Sequence, residues 1–370
     1  MITVSTPSRI CLFGEHQDYL GLEVIASAIN LRFTARIQAR PDSLLHIRIR
    51  DKSIGELGAK NTENKYEEYC IDTASELSYE NSRDYFKSIV NVLKKAGFAV
   101  SGAEVTLDSE IPIGKGMCSS TTMVLVLTTA LAALSDRKRA EDAMEMALLA
   151  WKAEVEEFNE PGGMMDHYAS ALGGMVHLDF STGKAVPTPL KLDLDGCFIL
   201  FDSLQDKDTI KVLGDSKYPT LEALKQLGQY GISSIRDFYD HPELEKYVDT
   251  LDGFHQQKVR ANIDNYHIQR EALSLIREGK MTNEKLGELL NRHQANLRDG
   301  LQISTPVIDK ILETAMAHGA YGGKFNGSGG GGCLYCYAPR EKAEEIVAAA
   351  KELGYPAMIL RQDKGLTIHD

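Results

Sequence analysis

Apolar and polar residues alternate along the first third of the chain in patterns that predict several β-strands. Residues 46–50 and 103–107 alternate with a period of two, which is typical of half-buried strands. Apolar runs at 10–13 and 24–29, and a run of β-branched and polar residues at 32–39, predict three more strands. The chain is therefore expected to begin with strands.

Helical patterns predominate in the middle of the chain. Residues 121–134 are apolar nearly all round and predict a buried helix. Further helices are expected at 85–96 and at about 139–158, and residues 217–317 are mostly helix-like, with Leu and Ile three and four apart. The polar stretch 51–66 predicts a loop or an edge hairpin.

The second half of the chain also contains strand patterns on either side of its helical region. Residues 198–201 predict a buried strand ahead of the helices. After them, residues 333–337, 340–353 and 357–360 predict a strand, a helix and a last strand.

Length and composition are those of an ordinary globular protein. The 370 residues predict two to three domains, and we place one boundary near residue 190, between 1–190 and 191–370. Asp and Glu outnumber Lys and Arg by 53 to 41, and a net charge of −12 argues against nucleic acid as the main partner. The N-terminus lacks a signal-peptide pattern and the longest apolar stretch is too short to cross a membrane, so we expect a cytoplasmic protein with no membrane partner.

Six cysteines lie along the chain without the spacing of a disulfide framework. Cys333 and Cys336 form a C-x-x-C pair, but no second pair or nearby His completes a zinc site. The pair also lies in a predicted strand, where positions i and i+3 face opposite sides. We therefore expect packed thiols in a reducing compartment.

A glycine-containing turn at 112–122 lies between a predicted strand and the apolar helix. Gly114 and Gly116 allow close backbone approach, and the N–H groups at the start of the helix favour an anion. The hydroxyls of Ser119 and Ser120 could reach a metal-bound phosphate. The segment, which lacks the Walker A pattern, predicts either a phosphate site or a tight turn with a serine N-cap.

A second glycine-rich segment, at 327–332, formally contains the G-x-G-x-x-G pattern. A dinucleotide site requires a helix directly after the glycines, whereas 333–337 predict a strand, so we exclude that site. The two remaining interpretations are a flexible surface loop and a buried close approach of the backbone. The apolar flanks favour the buried approach.

Three polar residues, Glu15, His16 and Asp18, follow directly after an apolar run and a glycine. Carboxylates beside an imidazole suit sugar hydroxyls, which both donate and accept hydrogen bonds. The same cluster could instead form a solvated turn, or a metal site whose closely spaced ligands would be strained. The residues alone leave all three interpretations open.

Taken together, the three segments resemble the three motifs of the GHMP kinase superfamily, which includes galactokinase, homoserine kinase, mevalonate kinase and phosphomevalonate kinase. The resemblance spans nearly the whole chain and implies an α+β fold of two domains. The first domain would resemble domain 2 of ribosomal protein S5, and the second would be ferredoxin-like with a helical insert. The first motif is most similar to that of galactokinase-like sugar 1-kinases and has the sequence Arg9-Ile-Cys-Leu-Phe-Gly14-Glu15-His16-Gln-Asp18-Tyr19.

The resemblance also implies an activity, the ATP-dependent phosphorylation of a monosaccharide at its anomeric hydroxyl, with Mg²⁺ as cofactor. A further galactokinase-like stretch at 153–167 would supply Asp166 as the catalytic base, with Arg9 keeping it ionised. Glu154 and Ser120 would hold Mg²⁺. The sugar would be bound by Glu15, His16, Asp18 and Gly163. The phosphates of ATP would be bound by Gly114, Lys115, Gly116, Met117, Cys118, Ser119, Ser120 and Gly329.

Three residues depart from the galactokinase pattern: Cys11 stands in place of Asn, Cys118 in place of a small Ser or Gly, and His167 in place of Gln. These departures leave the kinase chemistry intact and the identity of the sugar open. One alternative is another alcohol kinase of the mevalonate or homoserine type. An alternative of another class is a non-catalytic sugar and ATP sensor, against which the retained Asp166 and Ser120 argue.

Overall fold

The computed structural model describes residues 1–50 and 66–370. Its strands are β1 (Ile2–Phe13), β2 (Glu23–Ala39), β3 (Leu44–Arg50), β4 (Tyr66–Asp72), β5 (Ala103–Ser109), β6 (Met175–Asp179), β7 (Val186–Leu190), β8 (Cys197–Asp202), β9 (Gly322–Phe325), β10 (Cys333–Ala338), β11 (Ala357–Ile359) and β12 (Thr367–His369). Its α-helices are α1 (Tyr85–Lys95), α2 (Ser119–Ser135), α3 (Arg137–Ala140), α4 (Ala143–Trp151), α5 (Met165–Leu172), α6 (Thr209–Leu227), α7 (Ile235–Asp240), α8 (Gly253–Arg277), α9 (Asn283–Ala295), α10 (Pro306–Ala317) and α11 (Ala343–Glu352).

The larger sheet is built around the long strand β2. Strand β1 runs antiparallel to β2 along most of its length, while β6 pairs with the first part of β2 and β5 with the last part. The strand order is β12-β1-β2-β5-β3-β4, with β6 beside the first part of β2 and β7 beside β6. The register of β1 shifts between Pro7 and Ser8, where proline has no N–H to donate. This irregularity lies directly before Arg9.

Helix α2 forms the centre of the core on one side of this sheet. It is apolar on nearly every face, and it packs with α1, α4 and α5 among the buried residues of β1 and β2. The prediction of a buried helix at 121–134 is confirmed, and that at 85–96 matches α1. The helix predicted at 139–158 is split, because Asp142 accepts hydrogen bonds from the N–H groups of Met144 and Glu145 and caps a new helix there.

The smaller sheet is antiparallel, with the order β11-β8-β10-β9, and helices α10 and α11 pack against it. Helices α6 to α10 lie between β8 and β9 in sequence, which confirms that residues 217–317 are mostly helical. The predicted strand at 357–360 is not the last, since β12 follows it and pairs with β1 in the larger sheet. The division at residue 190 stays a prediction; the chain leaves the larger sheet after β7 and enters the smaller one at β8.

Other expectations hold in part. The runs at 24–29 and 32–39 belong to one strand, β2, and the strand at 10–13 begins much earlier, at Ile2. The loop or hairpin expected at 51–66 lies outside the described residues, apart from Tyr66, which begins β4. Five of the six cysteines are buried, as expected for packed thiols, and Cys70 is exposed. Among the helices of the described ranges, none is long and apolar enough to cross a lipid bilayer.

Candidate active site

A cleft of about 290 Å³ lies where four segments of the chain meet. These are the end of β1 with the turn after it, the glycine turn before α2, the start of α5, and the glycine run before β10. Most of the predicted site residues line this cleft, namely Arg9, Glu15, His16, Asp18, Gly114, Gly116, Cys118, Ser119, Ser120, Glu154, Gly163 and Asp166.

The glycine turn leads into α2 through left-handed backbone conformations. Gly114 and Gly116 have φ values of 70° and 77°, and Cys118, the N-cap of α2, has φ of 49°. Within the part of the chain that the structure describes, the N-cap makes no side-chain hydrogen bond to the start of the helix. The interpretation as a turn with a serine N-cap is therefore wrong. Backbone N–H groups at the start of α2 remain available to an anion, next to Ser119 and Ser120.

Three residues predicted to bind ATP lie away from the cleft lining. Met117 is fully buried in the core. The Nζ of Lys115 lies 3.4 Å from both a Gln205 carbonyl and an Asp206 carboxylate, and 3.7 Å from Asp202. Gly329 packs so closely on the backbone of residue 303 that a Cβ would lie 2.5 Å from that carbonyl. These residues support the shape of the turn and the glycine run, and none of them lines the cleft.

Arg9 and Asp166 form an ion pair at the edge of the cleft. Both the Nε and the Nη2 of Arg9 contact Asp166 Oδ1, at 2.8 and 2.6 Å, and its Nη1 donates to the Gly116 carbonyl at 3.3 Å. Burial opposes the charge of Arg9, but the carboxylate of Asp166 outweighs it and raises the pKa of Arg9. Asp166 is 28% exposed whereas Arg9 is 3% exposed. The second carboxylate oxygen, Oδ2, is thus available to a ligand in the cleft.

A second carboxylate, that of Asp18, lines the same cleft. Asp18 Oδ2 accepts a hydrogen bond from the N–H of Met165 at 3.1 Å, which ties it to the start of the helix that carries Asp166. Burial, together with the nearby charge of Asp166, raises the pKa of Asp18. Gly163 leaves room for this carboxylate, because a Cβ at that position would overlap it. Gly163 thus makes space for the Asp18 carboxylate, and its role at a sugar site stays a prediction.

Glu15 and His16 are buried and make protein contacts through all their polar side-chain atoms. Glu15 forms an ion pair with Lys324 and accepts a hydrogen bond from the N–H of Gly327 at 2.7 Å. The Nε2 of His16 lies 3.0 Å from the Ser328 carbonyl, and its Nδ1 lies 2.8 Å from Tyr19 Oη. The interpretation as a solvated turn is wrong. Sugar binding by Glu15 and His16 stays a prediction, and their contacts do not support it. The contacts instead hold the glycine run against the first motif.

Asn326, which sequence reasoning missed, connects three of the four segments. Its Oδ1 accepts from the N–H of Cys11 at 3.0 Å, and its Nδ2 donates to the carbonyls of Arg9 at 3.3 Å and Gly116 at 3.0 Å. The glycine run that follows is mostly buried and leads into strand β10. The buried close approach is confirmed, and a strand, not a helix, follows the glycines as predicted. The one sequence signal for Asn326 was its position directly before the glycines.

The residues predicted to hold Mg²⁺ have suitable donor chemistry. Glu154 lies in a π-helical turn, Lys152–Glu156, and its Oε2 lies 2.8 Å from the Nε2 of His167. Burial would raise the pKa of Glu154, but hydrogen bonds from His167 and Ser120 lower it, so the carboxylate is held ionised. An ionised carboxylate and a hydroxyl are hard oxygen donors, and Mg²⁺ uses few protein ligands beside phosphates and water. In residues 1–50 and 66–370, no group of three or more His, Cys, Asp or Glu could hold a metal by itself.

Three family models match separate parts of the chain. The galactokinase galactose-binding signature matches residues 2–39, the N-terminal domain of GHMP kinases matches 84–174, and the C-terminal domain matches 272–356. The chain belongs to the GHMP kinase family. The matched regions contain the first motif, the glycine turn with Asp166, and the glycine run. The resemblance inferred from the motifs is thus confirmed.

Relatives of this GHMP kinase include both galactokinases and mevalonate kinases. A galactokinase from Glaesserella parasuis is 26% identical over 93% of this chain and 87% of its own length. A mevalonate kinase from Pyrococcus abyssi is 27% identical over 100% of this chain and 98% of its own length. The solved structure of Lactococcus lactis galactokinase complexed with galactose has a TM-score of 0.77 at 23% identity, covering 99% of this chain and 95% of that one. The two-domain α+β fold of the family is confirmed.

Proposed function

We propose that this GHMP kinase transfers the γ-phosphoryl group of ATP to a monosaccharide, at its anomeric hydroxyl, with Asp166 as the general base. The observation that carries the proposal is the pairing of Asp166 with Arg9 beside the uncapped start of α2. That arrangement puts a carboxylate within reach of a hydroxyl and an anion site within reach of a phosphate. The galactose-binding signature at 2–39 supports a sugar as the acceptor.

The phosphates of ATP would lie over the glycine turn. Gly114 and Gly116 bring the backbone close, and N–H groups at the start of α2 would donate to phosphate oxygens. Ser119 and Ser120, which line the cleft, would add hydroxyl donors. Because these donors are fixed before ATP binds, they need no reorganisation when charge develops on the transferring group.

Asp166 would accept the proton of the attacking hydroxyl as the new oxygen–phosphorus bond forms and the bond to the β-phosphate oxygen breaks. Arg9 holds Asp166 through Oδ1 and so fixes the position of that carboxylate in the cleft. The same guanidinium contacts the Gly116 carbonyl, so it would also lie near the transferring group and stabilise its charge.

Asp18 would accept a hydrogen bond from another hydroxyl of the sugar and so fix its orientation. Its carboxylate lies beside Gly163 and bonds to the N–H of Met165, one residue before Asp166. A sugar held by Asp18 would therefore present a neighbouring hydroxyl to Asp166. Orientation of this kind is a large part of catalysis in a reaction between two bound substrates.

Mg²⁺ would be held by Glu154 and Ser120, whose oxygens fit a hard divalent cation. When bound, Mg²⁺ neutralises charge on the β- and γ-phosphates. His167 donates to Glu154 Oε2 and would orient that carboxylate toward the cleft.

A mevalonate-type alcohol kinase is the second candidate, and the Pyrococcus abyssi mevalonate kinase, similar over the whole chain, favours it. The two candidates differ in the acceptor. A panel of monosaccharides, mevalonate and homoserine, each with ATP and Mg²⁺, would be assayed for ADP release, with Asp166→Asn as the inactive control. ADP release with a sugar, and a product with phosphate on the anomeric carbon by NMR, supports the proposal. Release with mevalonate or homoserine alone would contradict it.

A further inference from the structure

A buried lysine lies behind the glycine turn, outside every predicted site. Lys207 directly precedes Asp208, the N-cap of α6. Its Nζ is fully buried and has no hydrogen-bond partner among the residues that the structure describes. A Cβ at Gly116 would lie 2.5 Å from this Nζ, so the ammonium packs directly against the middle of the glycine turn.

Two other lysines, one in the glycine turn and one in α6, have acidic partners. Lys211, one turn further along, lies 2.8 Å from a carboxylate oxygen of Asp215. Lys115 lies 3.4 Å from a carboxylate oxygen of Asp206. A buried ammonium without such a partner is costly, because it has lost water and gained no hydrogen bond. An anionic ligand at the turn would remove that cost.

The second cation at the turn is Arg9, whose Nη1 donates to the Gly116 carbonyl. Arg9 and Lys207 thus converge on the same glycine from different segments of the chain. Two cations so close repel each other, and the charge of Arg9 is one reason why the pKa of Lys207 falls. Burial is the larger reason, and together they lower this pKa to about 8. A polyphosphate at the turn would reverse the shift, since an opposite charge favours the charged form.

We propose that Lys207 is a catalytic residue that binds oxygens of the transferring phosphoryl group of ATP at the glycine turn. The proposal rests on the proposed kinase function, which it extends by one residue. The bond between the γ-phosphorus and the β-phosphate oxygen breaks, the bond to the sugar oxygen forms, and the hydroxyl proton passes to Asp166. Lys207 keeps its proton throughout and neutralises negative charge on the phosphoryl oxygens.

The position of Lys207 also explains the small residue at position 116. A side chain there would meet both Lys207 Nζ and the carbonyl of Asn326, which would lie 2.6 Å from the Cβ. Gly116 therefore leaves space for the ammonium beside the turn.

The test compares Lys207→Met and Lys207→Arg with Lys211→Met, an exposed control in the first turn of α6. Binding of ADP and of a non-hydrolysable ATP analogue is measured by calorimetry, and turnover is measured with the sugar found in the panel. For Lys207→Met we expect turnover at least about 100-fold lower. We also expect analogue affinity at least about tenfold lower, with ADP affinity nearly unchanged, because the γ-phosphate alone is affected. Lys207→Arg should restore part of the analogue affinity.

The melting temperature of the ligand-free variant distinguishes a phosphate-binding role of Lys207 from a structural one, because the two roles predict changes of opposite sign. Removing an unpaired buried charge should leave the melting temperature of Lys207→Met equal to or above that of the wild type. A lower melting temperature, turnover within twofold of wild type, or equal losses of ADP and analogue affinity would overturn the proposal. If the wild type phosphorylates no sugar yet binds the analogue much more tightly than Lys207→Met does, the sugar kinase function fails and the phosphate-binding role of Lys207 stands.

Discussion

The guanidinium of Arg9 and the carboxylate of Asp166 meet at one oxygen: Nη2 and Nε of Arg9 lie 2.6 and 2.8 Å from Asp166 Oδ1. Arg9 is almost completely buried, whereas Asp166 is partly open to the cleft. The ion pair therefore joins a fixed, solvent-free cation to a carboxylate that can still receive a proton. Arg9 thus holds the proposed base through Oδ1, while Oδ2 would accept the proton of the substrate hydroxyl.

Asp166→Asn should abolish turnover while nucleotide binding survives. The amide has a similar shape but cannot accept the hydroxyl proton, and loss of a general base lowers rates by about 10² to 10⁴. ADP release measures the rate, and calorimetry measures ADP affinity. Asp193→Asn, an exposed carboxylate in the segment between β7 and β8, is the matched control. A near-normal kcat in Asp166→Asn would show that another group takes the proton.

Asp18→Ala should raise the KM for the sugar without a comparable change in the KM for ATP. The loss of one hydroxyl contact that leaves its partner unpaired costs about 1–3 kcal/mol, which is about 5- to 150-fold in KM. The measurement is a pair of saturation curves, one with each substrate varied. An unchanged KM for the sugar would remove Asp18 from the acceptor site.

Gly163→Ala should act through Asp18. The added methyl group would overlap the Asp18 carboxylate and displace it, so the KM for the sugar should rise in the single variant. In an Asp18→Ala background the same methyl group has room, and Gly163→Ala should then have little further effect. The double-mutant cycle measures this coupling. Equal effects of Gly163→Ala in both backgrounds would mean that the glycine matters for another reason.

The segments of the site can be recognised in the sequence because the residues of each motif are contiguous. The order of residues in the turn at 112–122 left a phosphate site and a tight turn as alternatives, and the family resemblance favoured the phosphate site and supplied Asp166 as the candidate base. The contacts that join the motifs could not be predicted, since they link distant positions: Lys324 is 309 residues from Glu15, and Asn326 is 315 residues from Cys11. Lys207 has no motif around it, and its buried, unpaired state exists only in the folded chain.

The strands that sequence reasoning missed are short or lack an alternating pattern. Strand β12 has three residues, and β9 has the sequence Gly-Gly-Lys-Phe, in which the buried Lys324 breaks the apolar pattern. Both depend on pairing with distant strands, β12 with β1 and β9 with β10. Their strand structure depends on these tertiary contacts, which the local β-propensity of the sequence does not reveal.

Asn326→Ala should destabilise the protein and loosen the junction of the three motifs. The change removes one acceptor and the two N–H donors of Nδ2, and it leaves the buried N–H of Cys11 without its partner. A lost buried partner costs about 1–3 kcal/mol, so the urea midpoint should fall accordingly. Asn283→Ala, at the start of α9, removes hydrogen bonds far from the cleft and is the control. If both variants lose equal stability but only Asn326→Ala loses turnover, the junction also positions the site.

His16 should make the stability of the protein depend on pH between about 6.5 and 3. Burial lowers the pKa of its imidazole from 6.5 to about 3, and its Nε2 donates to the Ser328 carbonyl. In this window the unfolded chain binds a proton at this residue and the folded chain does not. Stability therefore rises with pH across the window and is lost as the pH falls.

The magnitude follows from the two pKa values. Between pH 7 and pH 5 the wild type should lose about 2 kcal/mol more unfolding free energy than His16→Asn, whose side chain does not titrate. Asn is chosen because the φ of 63° at this position lies in the left-handed region, which Asn tolerates. The buried His293, whose pKa is also lowered, contributes equally to both proteins and cancels in the difference. Urea unfolding at the two pH values measures that difference, and parallel losses in the two proteins would mean that the imidazole of His16 is not held neutral in the fold.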